Sequence, residues 1–347
     1  LLPLLITLCP LSAADWHQWR GPDRNGTVTA GPRLLNQFPA RGIRPEWYTD
    51  SETIPGIVNG GWSSPVVANN RVYLFTHQKN RLGKGPLPTR KFPYLPPEKR
   101  VGMSEEEYAE HEKNRRDEEE KNSQNFRYNE QLYCLHAASG QLLWTNEWKS
   151  VYTRFSQSGC PTVVDGRILV LGAGRLARAI DAATGKDLWQ TRLPGEFRDQ
   201  FLQSSFLVVD RTAIVLAGSL FGLDMADGSI LWQQGDADAG SLHSSPVPWQ
   251  SPQGTVVISN MPGGKTIAVK PDDGSLVWAI DSGAGHATPL VSGDKLITYG
   301  SSRKKGLRCY QLDLATPQHL WTFQGTADSG SSPVVMDGNV FVQGERR

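Results

Sequence analysis

The stretch from Ile180 to Trp189, IDAATGKDLW, joins a turn of small and polar residues to a tryptophan. Its Thr-Gly pair supplies the positive backbone angle that a tight reversal between two strands needs. Similar phrases end at four further tryptophans, Trp144, Trp232, Trp278 and Trp321. Successive tryptophans of this set are 45, 43, 46 and 43 residues apart, which is typical of propeller blades and too long for leucine-rich or ankyrin repeats. The chain is therefore predicted to be a tandem array.

Each repeat carries a second landmark upstream of its tryptophan, as in WSSPVV, HSSPVP and GSSPVV. A turn follows this landmark, then an apolar run such as RILVLGA and a third segment such as LYCLHAA. Short strands separated by Gly, Asp and Asn turns predict an all-β fold with four strands in each repeat. We expect five complete four-stranded blades and a partial sixth.

Composition narrows the possible partners. Lys and Arg number 36 against 35 for Asp and Glu, so the chain has no overall field that would attract nucleic acid. The length suits a single propeller domain, predicted over residues 43–347, because each blade buries its faces against two neighbours.

The amino end, residues 1–14, has the apolar run and small residues of a signal peptide. A membrane anchor is the alternative interpretation, although the run is too short to span a bilayer. We expect export to the periplasm or the cell exterior, with no transmembrane segment in the mature chain. Residues 15–42 are predicted to form a segment at the propeller rim, with Trp16 to Asn25 lying across it.

Three cysteines follow this segment, Cys134, Cys160 and Cys309. They form no Cys/His cluster, so no metal site is predicted. Cys134 and Cys160 fall in neighbouring predicted blades, which leaves a disulfide open. Buried free thiols are the other interpretation, because cysteine behaves as a small apolar residue in cores.

The segment from Ala179 to Trp189, AIDAATGKDLW, resembles the tryptophan-docking motif A-x-D-x-x-T-G-K-x-x-W of quinoprotein-type, PQQ-like β-propellers. The resemblance extends from about Trp16 to the carboxyl end, and another branch of the group includes the propeller lipoprotein of the outer-membrane assembly machinery. It implies that each tryptophan packs against the next blade. The docking residues that it implies are Gly140, Trp144, Asp181, Gly185, Trp189, Gly228, Trp232, Gly274, Trp278 and Trp321.

A shared fold does not define chemistry. PQQ-dependent dehydrogenases of this superfamily carry an adjacent pair of cysteines over the cofactor and acidic side chains that hold Ca²⁺. This chain has no Cys-Cys dipeptide, and no calcium ligand or catalytic base can be matched to it. We expect a non-catalytic binding or assembly scaffold in the cell envelope, with protein partners and no cofactor. A PQQ-dependent quinoprotein dehydrogenase, using PQQ with Ca²⁺ to oxidise alcohols or sugars, is the alternative.

Candidate binding residues emerge when the first strands of the repeats are aligned. Three places before the position that is proline in most repeats stand Trp62, Ser158, Gln203, His243 and His286. First strands line the central channel of a propeller, so these side chains are predicted to ring one mouth. They would bind a small polar ligand or a peptide end. Alternatively, they hydrogen-bond the loops between blades.

One long insertion, residues 79–128, interrupts the first repeat. Ser104, with Glu107 three residues later, predicts a capped helix that continues to about Ser123. The helix is polar on all sides, which predicts that it faces solvent. The alternative is that it serves as a docking arm for a protein partner.

The two ends of the chain suggest how the propeller closes. Residues 43–49, which contain Trp47, resemble an outer strand, and the sixth repeat supplies only two strands. Propellers close by pairing an amino-terminal strand into the last blade. We expect seven or eight blades in the full protein.

Overall fold

The computed structural model describes residues 15–28, 31, 35–55, 63–157, 159–238, 240, 242–328 and 330–344. The predicted signal peptide and two predicted site residues, Trp62 and Ser158, lie outside the described residues. Five four-stranded antiparallel sheets and one two-stranded sheet follow one another, and strands pair in chain order within each sheet. These sheets confirm the prediction of an all-β propeller with five complete blades and one partial blade.

The first sheet contains β1 (Val66–Ala68), β2 (Arg71–Arg81), β3 (Phe126–His136) and β4 (Leu142–Lys149). The second contains β5 (Thr162–Val164), β6 (Arg167–Gly172), β7 (Leu176–Asp181) and β8 (Asp187–Arg192). The third contains β9 (Leu207–Val209), β10 (Thr212–Ala217), β11 (Ser219–Asp224) and β12 (Ile230–Gln234). The fourth contains β13 (Val247–Ser251), β14 (Gly254–Met261), β15 (Lys265–Val269) and β16 (Leu276–Asp281). The fifth contains β17 (Leu290–Ser292), β18 (Lys295–Tyr299), β19 (Leu307–Gln311) and β20 (Gln318–Phe323), and the sixth contains β21 (Val334–Met336) and β22 (Asn339–Phe341).

Apolar clusters between successive sheets hold the blades together. The cluster between the second and third sheets includes Leu169, Phe206 and Phe221, all fully buried. Equivalent clusters occupy the other four junctions. The middle strands of a blade are covered on both faces. Every residue of β10, TAIVLA, is therefore buried. The first strands are innermost, since β1 contacts β5 and β13 contacts β17 across blade boundaries.

A bulge recurs opposite every repeat tryptophan. The register of β7 and β8 shifts between Ala179 and Ile180, just past the pair formed by Ala179 and Trp189. The same shift occurs in the other four complete sheets. A bulge reorients the side chains of the strand that carries the extra residue. In the second sheet it leaves Leu188 at 46% exposure beside Trp189 at 8%.

The amino-terminal segment is not at the rim, as predicted, but in the centre. Trp16 pairs with Val67 of β1, and the carbonyl of His17 accepts a hydrogen bond from the Val163 amide of β5 at 2.8 Å. The rim prediction is wrong for residues 15–26 because the short inner strands leave backbone groups that only a central segment can satisfy.

The predicted outer strand at residues 43–49 is also wrong, because these residues form no ladder with any described strand. The tryptophan within this segment nevertheless docks. The Nε1 atom of Trp47 donates to the carbonyl oxygen of Ala137 at 2.8 Å. Its ring covers Gly140 in the first sheet's turn.

The insertion forms helix α1 (Glu105–Ser123), which confirms the predicted helix. Ser104 and Glu107 form both hydrogen bonds of a capping box. A short 3₁₀ helix (Pro97–Lys99) precedes it. Strands β2 and β3 extend to Arg81 and back to Phe126, so the insertion between them covers residues 82–125 and is shorter than predicted.

Candidate functional site

A tryptophan covers the glycine in the turn of each of the first four sheets, and in three of these pairs it comes from the preceding sheet. A Cβ atom on Gly185 would lie 2.6 Å from the ring of Trp144, so only glycine admits the indole. The φ angle of Gly185 is +74°, which side chains rarely adopt. Where the indole N–H has a partner, it is a backbone carbonyl, as when Trp189 donates to Met225 at 3.1 Å. The pairs are Trp47 with Gly140, Trp144 with Gly185, Trp189 with Gly228 and Trp232 with Gly274.

The carboxylate of Asp181 organises the turn that presents Gly185. Its Oδ1 atom accepts hydrogen bonds from the backbone amide and the hydroxyl of Thr184, both at 2.7 Å. These hydrogen bonds lower the pKa of Asp181. The residue therefore stabilises the turn.

The last two repeat tryptophans depart from this pattern. Pro317 occupies the glycine position of the fifth turn, and proline cannot adopt a positive φ angle. Trp278 is still only 4% exposed, and its Nε1 atom, like that of Trp144, has no hydrogen-bond partner. Trp321 is 40% exposed, because the described part of the sixth sheet has no outer strands to cover it.

A chain of hydroxyl groups links the inner strands, and sequence reasoning missed it. The amide of Cys160 donates to the Ser205 hydroxyl at 2.9 Å, and the Ser205 amide to the Ser245 hydroxyl at 2.9 Å. The Ser245 amide donates to the Thr288 hydroxyl at 3.2 Å, and the Thr288 amide to the Ser332 hydroxyl at 3.0 Å. Each residue stands directly before the proline position of its landmark. The repeated Ser-Ser-Pro phrase was the available signal.

The channel mouth brings together three of the five predicted binding residues. Gln203, His243 and His286 line a cleft of about 210 Å³. The imidazole rings of His243 and His286 stack with centroids 4.4 Å apart, and Phe201 stacks on the other face of His243 at 4.5 Å. The remaining described lining residues are Trp19, Ser64, Cys160, Ser205, Thr288, Gly330 and Ser332.

The stacked histidines are neutral at pH 7. Burial lowers the pKa of His243 to about 4, and the neighbouring His286 and Arg154 contribute to this shift. Burial also lowers the pKa of His286. The Nδ1 atoms of both rings are buried without a hydrogen-bond partner. The mouth therefore offers uncharged imidazole nitrogens.

The lining of this mouth does not fit PQQ with Ca²⁺. Calcium prefers oxygen ligands with carboxylates among them, and no described lining residue carries a carboxylate. Within the described residues, no three metal-ligating side chains come together. Cys134, Cys160 and Cys309 are free and buried, which confirms the thiol interpretation and not the disulfide.

The amino-terminal segment closes the channel with two buried arginines. Arg24, 1% exposed, donates to the carbonyls of Phe206 at 2.6 Å and Ser205 at 3.0 Å. Burial lowers its pKa to about 9. Arg20 donates to the carbonyl of Pro333, next to the sixth sheet.

The insertion is fastened to the propeller by a network centred on Asp199, which is 1% exposed. Arg116 of α1 donates to both carboxylate oxygens of Asp199, at 3.1 and 2.6 Å. Arg198 reaches Asp117 and Glu120 on the same helix. The helix buries no residue, so charged contacts hold it in place. Within the described residues, no helix is both long and apolar enough to cross a membrane.

A second cleft, which the sequence reasoning did not predict, lies between the insertion and the first two blades. It is called the insertion cleft below, and its volume is about 220 Å³. The available signal was the length of β2 and β3, each of 11 residues, whereas the other central strands have five to eight. The cleft is lined by His77, Gln78, Lys79, Leu87, Pro88, Arg90, Glu119, Asn122, Ser123, Phe126, Tyr128, Tyr152, Thr153, Arg154, Phe155 and Ser156.

Comparison with known proteins places these features in a family. A family model described as outer membrane protein assembly factor BamB matches residues 128–347. The protein of that name from Yersinia pestis is 26% identical over 189 residues, covering 48% of this chain and 46% of the relative. The quinoprotein alcohol dehydrogenase PedH from Pseudomonas putida is 26% identical over 182 residues, covering 49% of this chain and 30% of the relative. Both matches thus span less than half the length of the curated relative.

Among solved structures, BamB from Moraxella catarrhalis is similar over 63% of this chain and 78% of that chain. The sequence identity is 14% and the TM-score is 0.38.

Proposed function

The chain belongs to the family described as outer membrane protein assembly factor BamB, and we propose that it is an exported, non-catalytic scaffold that binds protein partners in the cell envelope. Relatives named as outer membrane assembly factors in Yersinia pestis and Nitrosomonas eutropha support this proposal. The proposed location is the periplasm or the cell exterior.

The observation that carries the proposal is that the chain fills its own centre. Arg24 is 1% exposed between inner strands, and the amino-terminal segment contacts the first and second sheets and the residues just before the third, fifth and sixth sheets. When the axis of a propeller is filled in this way, its faces and its rim are the surfaces that remain for binding partners. The insertion supplies a firmly held feature on one face, because Arg116 and Asp199 fix α1.

Site-specific photo-crosslinking in cells that express the full-length protein tests this proposal. A crosslinker at Glu110, on the exposed side of α1, is expected to capture outer-membrane assembly proteins. Arg211, 82% exposed in a turn at the opposite end of the strands from the insertion, is the matched control position. Equal capture at both positions, or capture of no envelope protein at Glu110, would contradict the proposal.

A quinoprotein dehydrogenase remains the second candidate because of the similarity to PedH. The carboxylate-free lining of the described channel mouth argues against it. Purified full-length protein, supplied with PQQ and Ca²⁺, is expected to give no dye-linked oxidation of alcohols or sugars. Reproducible turnover that depends on PQQ would reverse the order of the two candidates.

A further inference from the structure

The insertion cleft is built from five separated parts of the chain. The extended ends of β2 and β3, called its floor below, the end of α1 and the insertion loop with Leu87, Pro88 and Arg90 line it, together with residues 152–156, which lead into the second blade. Lys79 of β2 stands directly opposite Tyr128 of β3 in the ladder. Side chains at paired positions lie on the same face of a sheet, so both belong to the floor.

Aromatic rings dominate the cleft. The ring of Tyr128 lies 5.9 Å from that of His77 and 5.8 Å from that of Tyr152, measured between centroids. The ammonium group of Lys79 lies 4.0 Å from the centroid of the Phe126 ring. These rings form an apolar surface edged by a cation.

The charges that line the cleft are mainly positive. Lys79, Arg90 and Arg154 face a single lining carboxylate, Glu119. The contact between Arg90 and Glu119 is long, at 3.7 Å. Arg154 approaches Asp199 at 3.4 Å, but both oxygens of that carboxylate already accept hydrogen bonds from Arg116. An anion in the cleft would therefore complete the charge balance.

One buried polar group points to the same conclusion. Tyr128 is 8% exposed, and its hydroxyl group is buried without a hydrogen-bond partner. A buried hydroxyl without a partner costs free energy. Burial raises the pKa of Tyr128 to about 12, so the group remains an O–H donor at pH 7. A ligand oxygen that reached this hydroxyl would supply the missing partner.

We propose that the insertion cleft binds a small aromatic carboxylate. Its ring would pack against the rings of the floor, and its carboxylate would accept hydrogen bonds from the cations and from the Tyr128 hydroxyl. The volume of about 220 Å³ is below the roughly 300 to 1,000 Å³ of sites for drug-sized ligands, which limits the ligand to about one ring. This binding activity is independent of the proposed scaffold role.

Calorimetric titration of the full chain with benzoate is the direct test. Benzamide keeps the ring but not the charge, and acetate keeps the charge but not the ring. Benzamide is expected to bind at least about tenfold more weakly than benzoate because it loses a charge-assisted contact. Acetate is expected to bind at least about tenfold more weakly because it loses the packing of the ring. Equal binding of benzoate and benzamide, or no binding of benzoate, would overturn the proposal.

Two variants connect binding to this cleft. Tyr128→Phe and Lys79→Met are each expected to weaken benzoate binding about tenfold. The melting temperature of Tyr128→Phe is expected to be unchanged or higher, because the deleted hydroxyl has no partner in the fold. Lys84→Met is the control, since this insertion lysine does not line the cleft. Wild-type affinity in both cleft variants would refute the assignment, and so would a loss of affinity in Lys84→Met.

Discussion

At the residue scale, the blade junctions depend on positions where one additional side-chain atom would prevent a tryptophan ring from packing. Gly185 must turn with a positive φ and also leave room for the Trp144 ring. Both needs could be predicted from the repeat, because the spacing of glycine and tryptophan is a local pattern. The hydroxyl chain through Ser245 could not be predicted with the same ease, because each of its bonds joins residues about forty positions apart.

Alanine substitutions at Gly185 and at Gly166 separate the need for a positive φ angle from the need for space beside an indole ring. A Cβ atom on Gly185 would meet the Trp144 ring at 2.6 Å, so we expect a loss of about 3 kcal/mol in the free energy of unfolding. Gly166 has a similar φ of +71°, but a Cβ atom added there would meet no other atom within 4 Å. Gly166→Ala is expected to cost only about 1 kcal/mol. Chemical denaturation measures both, and equal losses would show that the indole does not dock there.

Adjacent serines provide a second matched pair. The Ser245 hydroxyl accepts a hydrogen bond from the Ser205 amide, whereas the buried Ser244 hydroxyl has no partner. Ser245→Ala is expected to lower the free energy of unfolding by about 1 to 2 kcal/mol, because a buried amide loses its acceptor. Ser244→Ala is expected to be neutral or stabilising. A reversed order in thermal melts would be incompatible with the hydroxyl chain.

The stacked histidines make stability depend on pH. The pKa of His243 is lowered to about 4 in the folded protein, whereas it is about 6.5 in the unfolded chain. The unfolded state therefore binds more protons between these values, so stability is complete above pH 6.5 and falls as the pH drops to 4. We expect a loss of about 2 kcal/mol, after allowance for partial exposure. His243→Gln should flatten this part of the profile in urea denaturation, and an unchanged slope would assign it to other groups.

At the scale of elements, helix α1 and the cleft beneath it differ in how far sequence predicts them. The helix could be predicted because its capping box lies within four residues, Ser104 to Glu107. The cleft could not, because it requires Tyr152 from the next blade to meet Tyr128. Likewise, residues 43–49 resemble an outer strand in sequence but form none, since a ladder needs a neighbouring backbone, and the docking of Trp47 on Gly140 was not predicted.

The attachment of α1 can be tested apart from the propeller. Asp199→Asn removes the charge that two arginines share, Arg116 and Arg154. We expect the amides of α1 to exchange hydrogen at least about tenfold faster, while those of β10 stay protected. Arg211→Gln breaks an exposed ion pair with Asp224 and is the control. Unchanged exchange in Asp199→Asn would show that other contacts hold the helix.

At the scale of the whole molecule, the occupied centre distinguishes this propeller from one with an open channel. The sequence alone predicts a rim position for the segment from Trp16 to Asn25. No local pattern in RGPDRNG indicates that this segment packs in the centre of the propeller. The two carbonyl partners of Arg24 lie 181 and 182 residues away, and the Pro333 partner of Arg20 lies 313 residues away. Contacts of that range become visible only when the sheets are assembled.

Arg24 is expected to be important for the whole assembly. Arg24→Met keeps the apolar stem but removes the donor to the Ser205 carbonyl and leaves the Phe206 carbonyl with the Thr162 hydroxyl alone. We expect a loss of about 3 kcal/mol in the free energy of unfolding. Arg211→Met, at a position 82% exposed, is expected to change it by about 0.5 kcal/mol or less. A small effect of Arg24→Met in thermal denaturation would mean that the segment is not needed to hold the sheets together.

The bond between Arg20 and Pro333 also bears on the order of events during biosynthesis. The segment around position 20 is synthesised before the strands that it contacts, yet its binding partners are completed by a proline made some three hundred residues later. Nucleating contacts of this separation are slow to form. The segment can therefore pair with the first and second sheets as they form, whereas its bond to Pro333 requires that the sixth repeat has been synthesised.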